Sequence, residues 1–233
     1  MSRRLLIRDL GTRPYGAVLE LQRDLCRRRV RGELQEDLLL LVEHEPVITL
    51  GRSTRPESLP VPRSELVRRG IEVFEVERGG DATYHGPGQL VGYPILDLRQ
   101  HREDLHWYLR QLERSLIRAL QALDITARPN PGLTGVWTSG RKIASIGVHV
   151  KQWVTFHGFA LNVLTDLDYF DLIIPCGIRD VTMTSVAQEL GRTDGALWHE
   201  ARRSVIDGVS QEFSLEPVEP LPVAFGAAFD FSP

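Results

Sequence analysis

Val136-Trp137-Thr138-Ser139-Gly140-Arg141-Lys142-Ile143-Ala144-Ser145-Ile146-Gly147-Val148-His149-Val150 is the stretch from which the fold is read. Two apolar, partly β-branched runs flank Thr138-Ser139-Gly140, a turn composition, so the stretch predicts a hairpin. A second turn near Lys151-Gln152 leads to Val154–Val163, which makes the unit a three-stranded meander. Period-two alternation puts Lys142, Ala144, Ile146 and Val148 on one face and Ile143, Ser145, Gly147 and His149 on the other. A lysine in line with Ala, Ile and Val either snorkels to water or is buried, and a buried ammonium needs an anion.

Around this core, residues 5–10 predict a strand, and Pro14 opens a helix to about Val30 with Ala17, Leu21 and Leu25 on one face. Cys26 falls at the edge of that stripe. Leu38-Leu39-Leu40-Leu41-Val42 does not alternate and predicts a strand buried on both sides. Residues 46–50, 71–76 and 90–98 predict further strands, and 51–64, with three prolines, a loop. Leu105, Leu109, Leu112, Leu116, Leu120 and Leu123 recur at helical spacing behind Asp104, an N-cap residue. Two more helices follow, at 185–191 with Gly191 as its stop and at 196–212. The fold class expected is α+β, a mixed sheet flanked by helices. No linker interrupts it, so one catalytic-size domain is expected over 1–215, with a proline- and phenylalanine-containing tail over 216–233.

The 233 residues carry a net charge of -3, which does not favour nucleic acid as a partner. Two cysteines, Cys26 and Cys176, make no disulfide framework. The N-terminus lacks a signal-peptide core, and no run approaches the roughly 18 apolar residues of a membrane span, so a soluble cytoplasmic protein is expected. The histidines show no metal-ligand spacing, and no metal is expected.

Three segments and one thiol concentrate chemistry. Arg78-Gly79-Gly80-Asp81-Ala82-Thr83-Tyr84-His85-Gly86-Pro87-Gly88-Gln89 is either a tight connection between strands or a backbone that approaches a ligand. It has neither the dinucleotide nor the P-loop order. In Phe156-His157-Gly158-Phe159-Ala160-Leu161-Asn162, a mid-strand Gly158 signals close approach by a ligand or another backbone. His157 there is a general base or a hydrogen-bonded structural residue. Pro175-Cys176-Gly177-Ile178 follows the apolar Leu172-Ile173-Ile174 and either presents a thiol at a turn or buries it as a small hydrophobe.

In this order the segments resemble the lipoyl(octanoyl) transferases, which are related to the biotin and lipoate protein ligases. The matching stretches are Arg78 to His85 with Gly86-Pro87-Gly88-Gln89-Leu90, Gly140 to Gly147, His157 to Asn162, and Pro175 to Ile178. The resemblance spans about residues 5–212. It implies a biotin/lipoate protein ligase-like catalytic domain, with Cys176 as acyl-thioester nucleophile and Lys142 as its activating partner. It implies that Arg78, Gly79, Gly80, Asp81, Ala82, Thr83, Tyr84, His85, Ser145, Ile146, Gly147, Gly158, Phe159 and Ala160 line the acyl pocket. The activity implied is transfer of an octanoyl or lipoyl group, without a cofactor, from acyl carrier protein to a lysine of a lipoyl domain. That recipient is carried by a 2-oxoacid dehydrogenase or the glycine cleavage H protein. The tetrahedral oxyanion needs donors, and Gly177 or the Gly79-Gly80 loop can supply backbone N–H groups. The rival readings are an ATP-dependent lipoate or biotin ligase, a cysteine hydrolase using His85 or His157 as base, and a carrier-binding module with an inert thiol.

Overall fold

A computed structural model describes residues 3–174 and 181–219 of the chain. Within them the elements are β1 (Arg3–Arg13), α1 (Tyr15–Val30), β2 (Asp37–His44), β3 (Val47–Leu50), α2 (Arg63–Arg68), β4 (Glu72–Glu75), β5 (Ala82–His85), β6 (Gln89–Ile95), α3 (Leu105–Gln121), β7 (Arg128–Asn130), β8 (Leu133–Thr138), β9 (Arg141–Lys151), β10 (Val154–Asn162), α4 (Val186–Leu190), α5 (Ala196–Glu212) and β11 (Leu215–Val218). Eight strands pair in the order β11-β1-β2-β6-β10-β9-β8-β7. β1 runs parallel to β11 and β2, and the other neighbours are antiparallel, so the sheet is mixed. A smaller sheet, β4-β3-β5, lies apart from it.

β2 shows why its sequence does not alternate. Leu39 and Leu41 enter the main core, beside Leu112 and Leu116 of α3 and Val205 and Val209 of α5. Leu38, Leu40 and Val42 enter a second core, with Val18, Leu25 and Cys26 of α1. A central strand covered on both faces by helices has no polar side to display. Asp104 caps α3 by accepting from the Trp107 N–H at 3.0 Å, and Gly191, at φ 62°, ends α4.

Four expectations change. The buried face of α1 is not Ala17-Leu21-Leu25. It runs Tyr15, Val18, Leu19, Gln22, Leu25, Cys26 and Arg29, and Ala17 is exposed. Apolar spacing missed it because two of its members are polar and partnered. Gln22 accepts from the His157 N–H at 2.9 Å, and Arg29 donates to Asp37 at 3.0 Å. Cys26 is therefore core rather than edge, and burial pushes its thiol up to about 11. The 51–64 loop holds a 3-10 turn at Pro56–Ser58 and the start of α2. The tail's first residues form β11 against β1, so a boundary at 215/216 falls inside a strand. Residues 220–233 lie outside the described residues.

Candidate active site

The cavity of interest lies on the second-core face of the large sheet, over β6, β10 and β9. Its lining includes Arg78, Gly80, Asp81, Ala82, Thr83 and His85 from the glycine-rich segment, Ser145, Ile146 and Gly147 from β9, and Gly158, Phe159 and Ala160 from β10. Lys142 lines it too. Gly79 and Tyr84 of the same segment do not appear among its walls. Gly79 is exposed and donates its N–H to Val148 O at 2.9 Å, which spends that N–H as an oxyanion donor. The Tyr84 ring lies on the other side of β5, stacked on Tyr169 with centroids 4.7 Å apart. Ile146 and Phe159 border the cavity while packing into the main core.

Lys142 does not share the face of Ala144 and Val148. The β8–β9 register steps from Trp137↔Lys142 to Val136↔Ala144, so β9 holds one extra residue there, a bulge. The bulge reverses the alternation. Ile143 and Ala144 both enter the main core, and Lys142 joins Ser145 and Gly147 at the cavity. Lys142 is 2% exposed. Its Nζ stands 5.0 Å from the centre of the Trp137 ring, a cation–π distance. Its backbone is clamped as well: its N–H donates to Thr182 O at 2.8 Å, and its carbonyl accepts from the Thr184 N–H at 2.9 Å.

Gly135 makes room for this side chain. At φ 131°, a Cβ there would come 2.6 Å from Ala144 O and 2.9 Å from Lys142 Cε. The buried Glu113 carboxylate accepts the Gly135 N–H at 3.2 Å and fixes the position. Gly135→Ala combines backbone strain with a clash against main chain, and should cost roughly 2–4 kcal/mol. A melting temperature within 2 °C (roughly 0.5–1 kcal/mol) of the parent contradicts this.

Gly158 resolves differently from a ligand contact. A Cβ there would sit 2.1 Å from Gly92 O, so the close neighbour is the backbone of β6. His157, at φ 56°, marks the irregularity where β10 passes Pro94 of β6. Burial lowers its pKa, opposed by Glu77, whose Oε2 lies 3.6 Å from Nε2.

A wider cleft of about 510 Å3 opens beside the cavity. Gly80, Asp81, Lys142 and Ile146 line both. Asp81 accepts from Ser58 Oγ at 2.8 Å and from the Ala82 N–H at 2.7 Å, and the Ser58 carbonyl accepts from the Ile174 N–H at 2.9 Å. Ile174 and Val181 are walls of the cleft as well. Cys176, with Pro175, Gly177 and Ile178, lies outside the described residues.

Sequence reasoning missed Tyr15, Val91 and Tyr93 as walls of the cavity, and named His157 only as a base or structural residue. They come from α1, β6 and β10, and no local motif joins them. Beneath them, burial lowers His44 to about 4 and His85 to about 3. His85 donates from Nδ1 to Gln89 Oε1 at 2.7 Å, since that oxygen only accepts. Neither ring serves as a base near neutral pH. Well above pH 6.5 both are neutral, folded or unfolded, so their contribution is flat there. As pH falls from 6.5 towards 4, the unfolded chain binds protons that the folded chain refuses, and stability drops by about 3 kcal/mol from His44 alone. A melting temperature that stays level between pH 7 and pH 4.5 contradicts this.

A mixed sheet carries a buried lysine at the edge of a narrow cavity lined by glycines. The sequence model of the lipoyl protein ligase A/B catalytic domain matches residues 14–208. The chain belongs to that family, on the side of its octanoyltransferases. It is 46% identical over 214 residues to the octanoyltransferase of Nostoc sp., covering 92% of this chain and 94% of that one. It is 46% identical to that of Chloroflexus aggregans, covering 94% and 99%. Among solved structures it resembles the bipartite lipoate protein ligase of Thermoplasma acidophilum, with TM-score 0.70 at 20% identity over 94% of this chain and 87% of that one. A lipoate-protein ligase A bound with ATP gives 0.69 at 16% identity, over 95% and 90%. At that identity the structures speak for the fold alone, which is α+β as expected. Among the described residues, no helix is long and apolar enough to cross a membrane.

Proposed function

We propose that this protein transfers an octanoyl group from acyl carrier protein to a lysine of a lipoyl domain, through a thioester on Cys176. The observation that carries the reading is the burial of Lys142 where the slot meets the cleft. Chain connectivity adds to it. Ile174 walls the same cleft, and two residues of chain span at most about 7 Å. The reading puts the Cys176 thiol beside Lys142, where a buried cation favours the thiolate.

In the first half-reaction the Cys176 thiolate attacks the donor's thioester carbonyl. The C–S bond to the carrier breaks, and the carrier's thiolate leaves with the proton of the Lys142 ammonium, which becomes the neutral amine. In the second, the acceptor lysine's amine attacks the acyl-Cys176 carbonyl, and neutral Lys142 takes the amine's proton as the C–S bond breaks. Exchange between thioesters is nearly level in energy, and amide formation runs downhill, so ATP is not required. Gly80 remains the oxyanion donor available from the glycine-rich loop, with Gly177 as the other candidate.

The test uses octanoyl-carrier protein and no ATP. Intact mass should show one octanoyl adduct on the wild type, and addition of a lipoyl domain should discharge it to that domain. Transfer that requires ATP and free octanoate supports a ligase instead, and free octanoate with no transfer supports a hydrolase.

A further inference from the structure

The strand register shows where an acyl chain in this cavity would end. Ser145 of β9 pairs with Ala160 of β10, and Ala160 pairs with Val91 of β6. Gly147 pairs with Gly158 in the next row, and Tyr93 follows Val91 by two positions on β6. All six line the cavity. A chain that starts beside Lys142 on β9 therefore runs across β10 towards β6. That path is two inter-strand spacings, about 10 Å, comparable with an extended eight-carbon chain.

Beyond β6 lies β2, and there the path is blocked by a rigid assembly. His44 of β2 is fully buried. Its Nδ1 lies 3.0 Å from Arg13 O, which can only accept, so Nδ1 carries the proton. Its Nε2 then accepts from the Tyr93 hydroxyl at 2.8 Å. The Tyr15 ring meets His44 edge-on at 5.1 Å and stacks over His85 at 6.0 Å. Tyr15 and Tyr93 are 1% and 3% exposed. Side chains anchored this way do not swing aside for a longer chain as a loose methionine would.

We propose that Tyr15 and Tyr93, locked by His44, form the end wall of the acyl slot and set the chain length it accepts. The proposal rests on the acyl-transfer reading for its substrate class, and on the cavity's geometry for its content. Each methylene that fits or fails to fit changes relative acceptance about fourfold.

The experiment measures kcat/KM for hexanoyl, octanoyl and decanoyl thioesters of the carrier protein. Calorimetry runs in parallel with free hexanoate, octanoate and decanoate. Tyr15→Leu and Tyr93→Leu should raise the decanoyl-to-octanoyl ratio about tenfold. Val91→Met, which fills the slot before its end, should move preference the other way, towards hexanoyl. Tyr93→Phe keeps the ring and loses only the hydrogen bond to His44, so it should raise the decanoyl-to-octanoyl ratio by less than Tyr93→Leu does. Melting curves identify the variants that fold, and because Val91→Met moves the ratio in the opposite direction, general destabilisation cannot mimic the pattern. Ratios within twofold of the wild type in folded Tyr15→Leu, Tyr93→Leu and Val91→Met overturn the end wall. A wild type that forms no acyl adduct overturns the acyl-transfer reading instead, and the chain-length order of free-acid binding then still decides the wall.

Discussion

Cys176→Ala should accept no octanoyl group and should transfer acyl groups at least about 10^4-fold more slowly than the wild type. The size follows from the role. A residue that forms and breaks the covalent bond has no partial substitute, unlike one that only orients. The adduct on the wild type should be cleaved by neutral hydroxylamine, as a thioester is. The other cysteine supplies the control. Cys26 is 2% exposed and its thiol is pushed up to about 11 by burial, so at neutral pH it should not compete for acyl groups or alkylating agents. An adduct of undiminished yield on Cys176→Ala would remove the thioester from the mechanism.

Lys142→Ala should lower kcat/KM by about 10^2–10^4-fold, the usual worth of a positioned proton acceptor. It should also move the pH at which Cys176 reacts with iodoacetamide upward by about one unit or more, because the thiolate loses its neighbouring cation. The substitution keeps the backbone contacts of residue 142 for a structural reason. The contacts from residue 142 to Thr182 and Thr184 are made by its backbone, so alanine keeps them. Only the side chain between Gly135 and Trp137 is lost. A pH profile of alkylation that coincides with the wild type's would exclude Lys142 from this role, whatever happened to turnover.

Much of the fold was legible because it is written in local periodicity. The meander of β8, β9 and β10, the two-sided β2, the Asp104 cap and the Gly191 stop each follow from residues within a few positions of one another. The face of α1 was not legible, because Gln22 and Arg29 belong to the buried stripe through partners far along the chain. The candidate site divides in the same way. Arg78 to His85 and Gly158 stood out as unusual local composition, Ser145 to Gly147, Phe159 and Ala160 were named by the family resemblance alone, and most of them meet at one cavity. Tyr84 belongs to the same segment, but its ring does not line the cavity and stacks on Tyr169 instead.

By itself, the sequence determined most of the strands and helices and which stretches are too rich in glycine for ordinary turns. Tertiary structure alone decided that Lys142 turns to the cavity, that Gly158 answers to the backbone of β6, and that Tyr15 and Tyr93 line the cavity against His44. The reason is that periodicity reports which sides of an element are apolar. The neighbours on those sides are set by strand pairing between distant segments, and by a single extra residue in β9 that reverses a face without changing the composition.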